Sequence, residues 1–288
     1  MGIKISELPL QPNGNIYHLN LNPSEIADTI ILVGDPGRVE TVSTKFDSVE
    51  LKRSNREICT HTGIKNGKRI SVISTGMGTD NIDIVVTELD ALANIDFTTR
   101  EEKKEHRTLN LVRLGTCGAL QPDMEINSYI ASSFGIGIDG LMWFYDTPAV
   151  DNSVITTSFL NHTNWPANWP HPYIVEGSEM LLEKVAFDMK KGITATAPGF
   201  YGPQGREVRL PVARPDMNDK FQSFNYKNNQ ITNLEMETSA LYGLCKAMGH
   251  NALTVCVAIA NRATKEFSKD YHPAMNQLID TVLERLTK

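Results

Sequence analysis

The chain has 288 residues, with 41% apolar and 22% charged side chains and a formal net charge of −6. That length allows one large or two small α/β domains with a full core. The acidic balance argues against a general partner among nucleic acids or anionic membranes. Four cysteines (Cys59, Cys117, Cys245, Cys256) lie far apart, with no metal-ligand or C-x-x-C spacing, which suggests a reducing compartment. The start M-G-I-K-I-S-E-L-P reads as no secretory signal, and no apolar run approaches a membrane span. A cytoplasmic protein is expected.

Residues 1–16 read as an extended arm with turn chemistry at Gln11-Pro12-Asn13-Gly14. I-I-L-V at Ile30 to Val33 is a buried strand that stops at Gly34-Asp35-Pro36-Gly37-Arg38 before a helix. Such a turn points N–H groups outward and suits an anion, although a lone G-D-P is more often a plain strand-to-helix turn. Ile70 to Ser74 is a second strand, followed by Thr75-Gly76-Met77-Gly78 and a helix capped by Asp80. The third glycine of a dinucleotide fingerprint is replaced by Asn81, which disfavours a Rossmann dehydrogenase.

Glu101 to Arg107 reads as a solvated loop or helix end. Leu109 to Leu114 is a third strand ending in Gly115-Thr116-Cys117-Gly118. Arg113, at the end of an apolar strand, is costly unless it meets an anion or an acidic partner. Ser128 to Gly135 is a further strand. Residues 140–175, which hold Trp143, Trp165 and Trp169 among several prolines, form an irregular excursion that either covers a site or contacts another subunit.

A helix is predicted over Ser178 to Lys191 and a strand over Ile193 to Ala197. The loop Pro198 to Glu207 then offers an aromatic, an amide and a guanidinium (Phe200, Gln204, Arg206). That set suits a flat heterocycle with carbonyls and an N–H on its edge, but taken alone it is better read as a surface turn with an incidental Gln and Arg. Ile231 to Leu234 leads into Glu235-Met236-Glu237-Thr238 and a helix; either carboxylate alone is better read as a helix-start acid. Leu253 to Ala260 is the most apolar strand, ending at Asn261-Arg262, and a last helix runs from about Ala274 to Leu286. Strands alternating with helices predict an α/β fold in a single domain over residues 1–288, with ligands at the carboxyl ends of the strands.

Six motifs in this order resemble the uridine phosphorylase branch of the nucleoside phosphorylase family. They are G-D-P-G-R (Gly34 to Arg38), N-R-E (Asn55 to Glu57), S-T-G-M-G (Ser74 to Gly78), R-L-G-T-C-G (Arg113 to Gly118), F-Y-G-P-Q-G-R (Phe200 to Arg206) and E-M-E-T (Glu235 to Thr238). The resemblance implies a three-layer α/β/α domain around a central mixed, twisted sheet, and phosphorolysis of uridine, with deoxyuridine and thymidine as related substrates. It implies a phosphate site of Gly34, Arg38, Arg113 and Thr116, completed by Arg56 from a neighbouring subunit. Met236 and Glu237 would hold the ribose, with His18 reaching the adjacent subunit's 5′-hydroxyl. Phe200, Gln204 and Arg206 would hold the base, with Arg262 ordering their surroundings; Arg113, Arg206 and Glu237 would carry the catalysis.

No cofactor is implied beyond phosphate as co-substrate. Some members hold a monovalent cation such as K⁺ at a subunit interface, at positions matching Glu57 and Ser74. A homodimer with shared sites, alone or as a trimer of dimers, is the implied assembly. Cys117 replaces a frequent threonine and removes a hydroxyl donor. The rival readings are a purine nucleoside phosphorylase or nucleosidase, and a non-catalytic nucleoside-binding or storage protein. Purine-cleaving relatives carry a Ser-Asp pair where this chain has Asn261-Arg262, and hydrolases lack the phosphate arginines.

Overall fold

Uninterrupted runs of branched apolar residues need cover on both faces, and here they become the middle strands of a sheet sandwiched by helices. The computed structural model describes residues 2–147 and 150–288. In chain order the first half comprises β1 (Thr29–Val33), α1 (Pro36–Ser43), β2 (Ser48–Asn55), β3 (Ile58–Lys65), β4 (Lys68–Ser74), α2 (Thr79–Asn94), β5 (Ile95–Asp96), β6 (Glu101–Glu102), β7 (Asn110–Ala119) and β8 (Tyr129–Gly137). The second half comprises α3 (Ser153–Thr163), β9 (Tyr173–Glu176), α4 (Glu179–Val185), β10 (Lys190–Thr196), α5 (Met217–Ser223), β11 (Asn225–Tyr226), β12 (Asn229–Glu235), α6 (Thr238–Ala247), β13 (Asn251–Asn261), β14 (Glu266–Phe267) and α7 (His272–Thr287).

One 12-stranded mixed sheet runs β11-β12-β10-β8-β13-β7-β1-β4-β3-β2, with β9 on β8 and β14 on β13. β7 changes partners along its length. Asn110 to Leu114 pair in parallel with β1, while Gly118 and Ala119 pair antiparallel with Leu234 and Asn233 of β12. That second pairing closes β12, β10, β8, β13 and β7 into a ring. The segment Arg113 to Gly118 therefore lies where the open sheet becomes a closed one. Helices α2 and α6 cover one face through Ile82, Leu89, Leu241 and Leu244. Helices α1, α4 and α7 cover the other through Val39, Leu181, Leu278 and Val282. The resulting three layers match the expected α/β/α arrangement.

Several expectations are corrected. The arm is packed rather than extended: Leu8 and Ile16 are buried, Leu10 bridges to Ile16, and Gly14 turns the chain at φ +83°. The β2–β3 hairpin has no strong sequence signal, because β2 (SVELKRSN) is mostly exposed and charged. Asp80 is not a cap; α2 starts at Thr79 with Gly78 (φ +98°) at the cap position. The strand carrying Arg113 does not stop at Leu114 but continues through Gly115-Thr116-Cys117-Gly118. The helix after Ser178 ends at Val185, leaving Phe187 exposed before β10 begins.

Residues 140–175 are more regular than expected, since they contain α3 and β9; positions 148 and 149 lie outside the described residues. Phe159 of α3 is fully buried and packs on Phe221 and Phe224 at 5.6 and 5.5 Å between ring centroids, with Trp165 also 5.6 Å away. This aromatic cluster fixes the excursion to α5. Phe159→Ala is expected to destabilise the fold by about 3–5 kcal/mol, checked by urea denaturation; an unchanged midpoint would show that the excursion is not anchored there.

Candidate active site

The carboxyl ends of β1, β7, β12 and β13 open into one cleft of about 560 Å³. Gly34, Arg38, Arg113, Thr116, Phe200, Gln204, Arg206, Met236 and Glu237 all line it. Residues spread over about 200 positions of sequence are thus brought together by strand order, by α1 and by the loop after β10, at the strand ends where α/β sheets bind ligands.

At the phosphate end, Asp35 caps α1 by accepting from the Gly37 N–H at 2.9 Å, with Pro36 opening the helix. Arg38 follows in the first turn and donates from Nη1 to the Leu114 carbonyl at 3.2 Å. Burial lowers its pKa from the ordinary arginine value, with neighbouring Tyr271 and Asp35 opposing that shift. The Gly34 turn is tied to the next one by the Gly76 N–H donating to the Gly34 carbonyl at 3.1 Å.

Arg113 is only 4% exposed. It donates through Nη2 to a Glu237 oxygen in a short contact, lies 3.3 Å from Glu235 through Nη1, and points Nη1 toward Cys256 Sγ at 3.7 Å. Burial opposes its charge, but Glu237 and Glu235 outweigh burial and raise its pKa. Its Nε has no partner among the described residues. Gly115 makes this geometry possible, because a Cβ there would come within 2.3 Å of Arg113 Nη1. Cys117 is buried beside Cys256, and desolvation pushes its thiol well above the usual range, so it stays neutral.

The two carboxylates divide the expected roles. Glu235 behaves as a helix-start acid: it accepts from the N–H groups of Glu237 and Thr238 at 2.9 and 3.0 Å and from Thr196 Oγ1 at 2.6 Å. Glu237 makes no such cap. It accepts from the Gly78 N–H at 2.8 Å and from Arg113, and it faces the cleft. Burial raises its pKa, with Arg113 pulling the other way.

At the other end, the Arg206 guanidinium carbon sits 3.7 Å above the centre of the Phe200 ring. Arg206 Nη1 donates to Gln204 Oε1 at 2.6 Å and to the Phe200 carbonyl. Burial, followed by repulsion from Arg262, lowers the Arg206 pKa to about 10, which leaves it charged at neutral pH. Arg262 donates through Nη2 to the Gly205 carbonyl at 3.3 Å. Asn261 is fully used in structure: its amide donates to the Gln121 and Met124 carbonyls and accepts from the N–H groups of Ala263 and Thr264.

Two expected residues do not line the cleft of their own chain. His18 Nδ1 lies 2.6 Å from Glu88, which also accepts from the N–H groups of His18 and Leu19. Arg56, at φ +54° in the β2–β3 turn, stands 5.7 Å over the Tyr17 ring. Asn55 Nδ2 donates to the His18 carbonyl at 2.7 Å, so the two form one outward-facing patch. Glu57 lies at the cleft rim, but Ser74 Oγ is fully buried between the Glu57 carbonyl and the Cys59 N–H. Glu88 and Gly115 were missed from sequence, because their importance lies in contacts that no spacing reveals.

Arg113→Met would leave two buried carboxylates without their cation, with an expected loss of about 3–5 kcal/mol at neutral pH. Glu237 binds its proton more tightly in the folded chain, so the folded state then holds more protons than the unfolded one. The deficit should shrink as pH falls from about 7 to about 5; a deficit that grows on acidification in chemical denaturation would contradict the ion triad.

A phosphorylase superfamily model matches residues 28–287. A uridine phosphorylase of Thermococcus kodakarensis is 32% identical over 92% of this chain and 84% of its own length. One of Haemophilus influenzae is 28% identical over 88% and 90%. A DeoD-type purine nucleoside phosphorylase of Tolumonas auensis is 26% identical over 86% and 88%. Among solved structures, a Trypanosoma brucei nucleoside phosphorylase described as showing uridine phosphorylase activity aligns with a TM-score of 0.87 and 31% identity, over 97% of this chain and 99% of that one. By its match to that family model over most of its length, the chain belongs to the phosphorylase superfamily.

Proposed function

We propose that this protein is a uridine phosphorylase, cleaving uridine with inorganic phosphate to uracil and ribose 1-phosphate in nucleoside salvage. The observation that carries this reading is the single cleft with two arginines at one end, a buried carboxylate in the middle, and a Gln–Arg–Phe set at the other. Arg38, Arg113, Thr116 and the Gly34 turn hold phosphate beneath C1′. Glu237 accepts from the ribose hydroxyls beside Met236. Gln204 and Arg206 meet the uracil edge, and Phe200 stacks on its face.

The bond between C1′ and N1 breaks with positive charge growing on the ribose and negative charge on the departing uracil. Phosphate then bonds to C1′ and the N1 electron pair leaves with the base. Phosphate held against C1′ supplies positioning and opposes the growing cation. Arg206 stabilises the charge that spreads onto the uracil oxygens. No side-chain nucleophile is required. Arg262, at the second position of the Asn261-Arg262 pair, stands where purine-cleaving relatives carry the protonating aspartate, and it donates to the Gly205 carbonyl instead, which favours a pyrimidine over a purine.

His18 and Arg56, joined by Asn55, would complete the site of a second copy, in a homodimer or a trimer of dimers. A cytoplasmic setting accords with four free cysteines and with the lack of a membrane-crossing helix among the described residues. A monovalent cation at the dimer interface would be held near Glu57 and Ser74, whose hydroxyl keeps one free lone pair beside its bonds to the Glu57 carbonyl and the Cys59 N–H.

Uridine cleavage is expected to require added phosphate and to yield ribose 1-phosphate by ³¹P NMR; free ribose in phosphate-free buffer would refute phosphorolysis. Removing a charged hydrogen bond of about 1.5–3 kcal/mol, Arg206→Ala should slow uridine turnover tens- to hundreds-fold in a uracil-release assay, and an unchanged rate would remove it from the base site. Activity should vanish on dilution to a monomer by light scattering; an active monomer would refute shared sites.

A further inference from the structure

Beside the cleft lies a chamber of about 870 Å³, larger than the cleft itself. The two share a wall. A tight turn at Gly202–Gln204, held by the N–H groups of Gln204 and Arg206 donating to the Tyr201 carbonyl, contributes residues to both. Gln204 faces the cleft, Tyr201, Pro203 and Gly205 face the chamber, and Arg206 touches both. Behind the turn, Asn218 Nδ2 donates to the Gln204 carbonyl at 3.2 Å.

The opposite wall is aromatic: Trp165 and Trp169 meet edge to face at 5.3 Å, and the Trp165 indole N–H is used by the Pro170 carbonyl. Val208 and Leu210 also line the chamber and are 81% and 77% exposed. Three arginines line the chamber (Arg206, Arg209, Arg214) and no acidic side chain does. Arg214 is neutralised by Asp216, whereas Arg209 has no ion-pair or hydrogen-bond partner among the described residues. The size falls within the ordinary range for small-ligand sites, which are mostly apolar with a few polar groups. Indole faces and proline rings suit a flat ring system, and an unpaired guanidinium with no carboxylate nearby suits an anion rather than a sugar or a cation.

We propose that this chamber is a second small-molecule site, for a flat aromatic anion, and that its occupancy acts on the base-reading residues through the shared turn. The binding part stands on the chamber alone; the effect on uridine rests on the proposed uridine phosphorylase activity. A ligand there presses on Gly205 and Arg206 from behind and so alters how Gln204 and Arg206 meet uracil.

The test uses the full chain and 8-anilino-1-naphthalenesulfonate, an aromatic anion whose emission rises in apolar sites. Binding should be saturable, with energy transfer from tryptophan, and should persist in saturating uracil and phosphate. Leu210→Asp and Arg209→Glu change exposed side chains outside the cleft, so they should fold normally. Each should weaken the probe by about tenfold or more while leaving turnover at saturating uridine within about twofold. In the wild type, bound probe should shift the KM for uridine. Non-saturable binding, competitive displacement by uracil, or wild-type affinity in both variants would overturn the second site. An unmoved KM with intact binding would overturn the coupling. A chain with no phosphorolysis would leave the binding result standing and refute the activity instead.

Discussion

The buried contact of Arg113 with Glu237 and Glu235 is the constraint around which the site is built. A guanidinium inside the sheet is unfavourable without partners, and removing either side leaves an uncompensated charge. Its place depends on β7 leaving β1 after Leu114 to pair with β12, which brings Arg113 beside the acids at the end of β12. Gly115 keeps the space above the strand open for the guanidinium. In the proposed reaction the same contact does chemical work. Arg113 turns its charge toward phosphate while Glu237 takes up ribose hydroxyls, so the two substrates occupy positions that hold each other's binding groups in place beforehand. Glu235, bound by three donors from β10 and α6, stays as the fixed anchor.

The base end works differently. Arg206 carries its charge on a loop rather than a strand, stacked on Phe200 and bonded to Gln204. These contacts hold a preformed edge without rigid secondary structure, and the turn that bears it has an apolar chamber behind it. In the proposed reaction, positioning of phosphate is built into the sheet, whereas reading of the base is left to a loop that backs onto a neighbouring cavity.

Much of this was legible in the sequence. The apolar runs gave β1, β4, β7 and β13, and the glycine and arginine motifs at their ends converged on one cleft in the structure. What escaped had physical reasons. β2 is an exposed, charged edge strand whose pairing with β3, not its composition, makes it a strand. Strand β7 passes through two glycines because ladder bonds to β13 and β12 override local preference. Glu235 and Glu237 look alike in sequence; only the packing of α6 against β10 and α2 gives one to the backbone and the other to the cleft. His18 and Arg56 stand apart from their own cleft, and a single chain places them only as an outward patch.

The most direct test of the central claim is the specificity of the phosphate-dependent reaction, measured as kcat/KM over a panel of pyrimidine and purine nucleosides by base release. Uridine should exceed inosine and adenosine by at least about two orders of magnitude, since a site built to bond one ring edge leaves buried polar groups unpaired with the wrong one. Equal or faster cleavage of inosine would contradict the assignment of Gln204 and Arg206 to uracil, and with it the reading of the cleft.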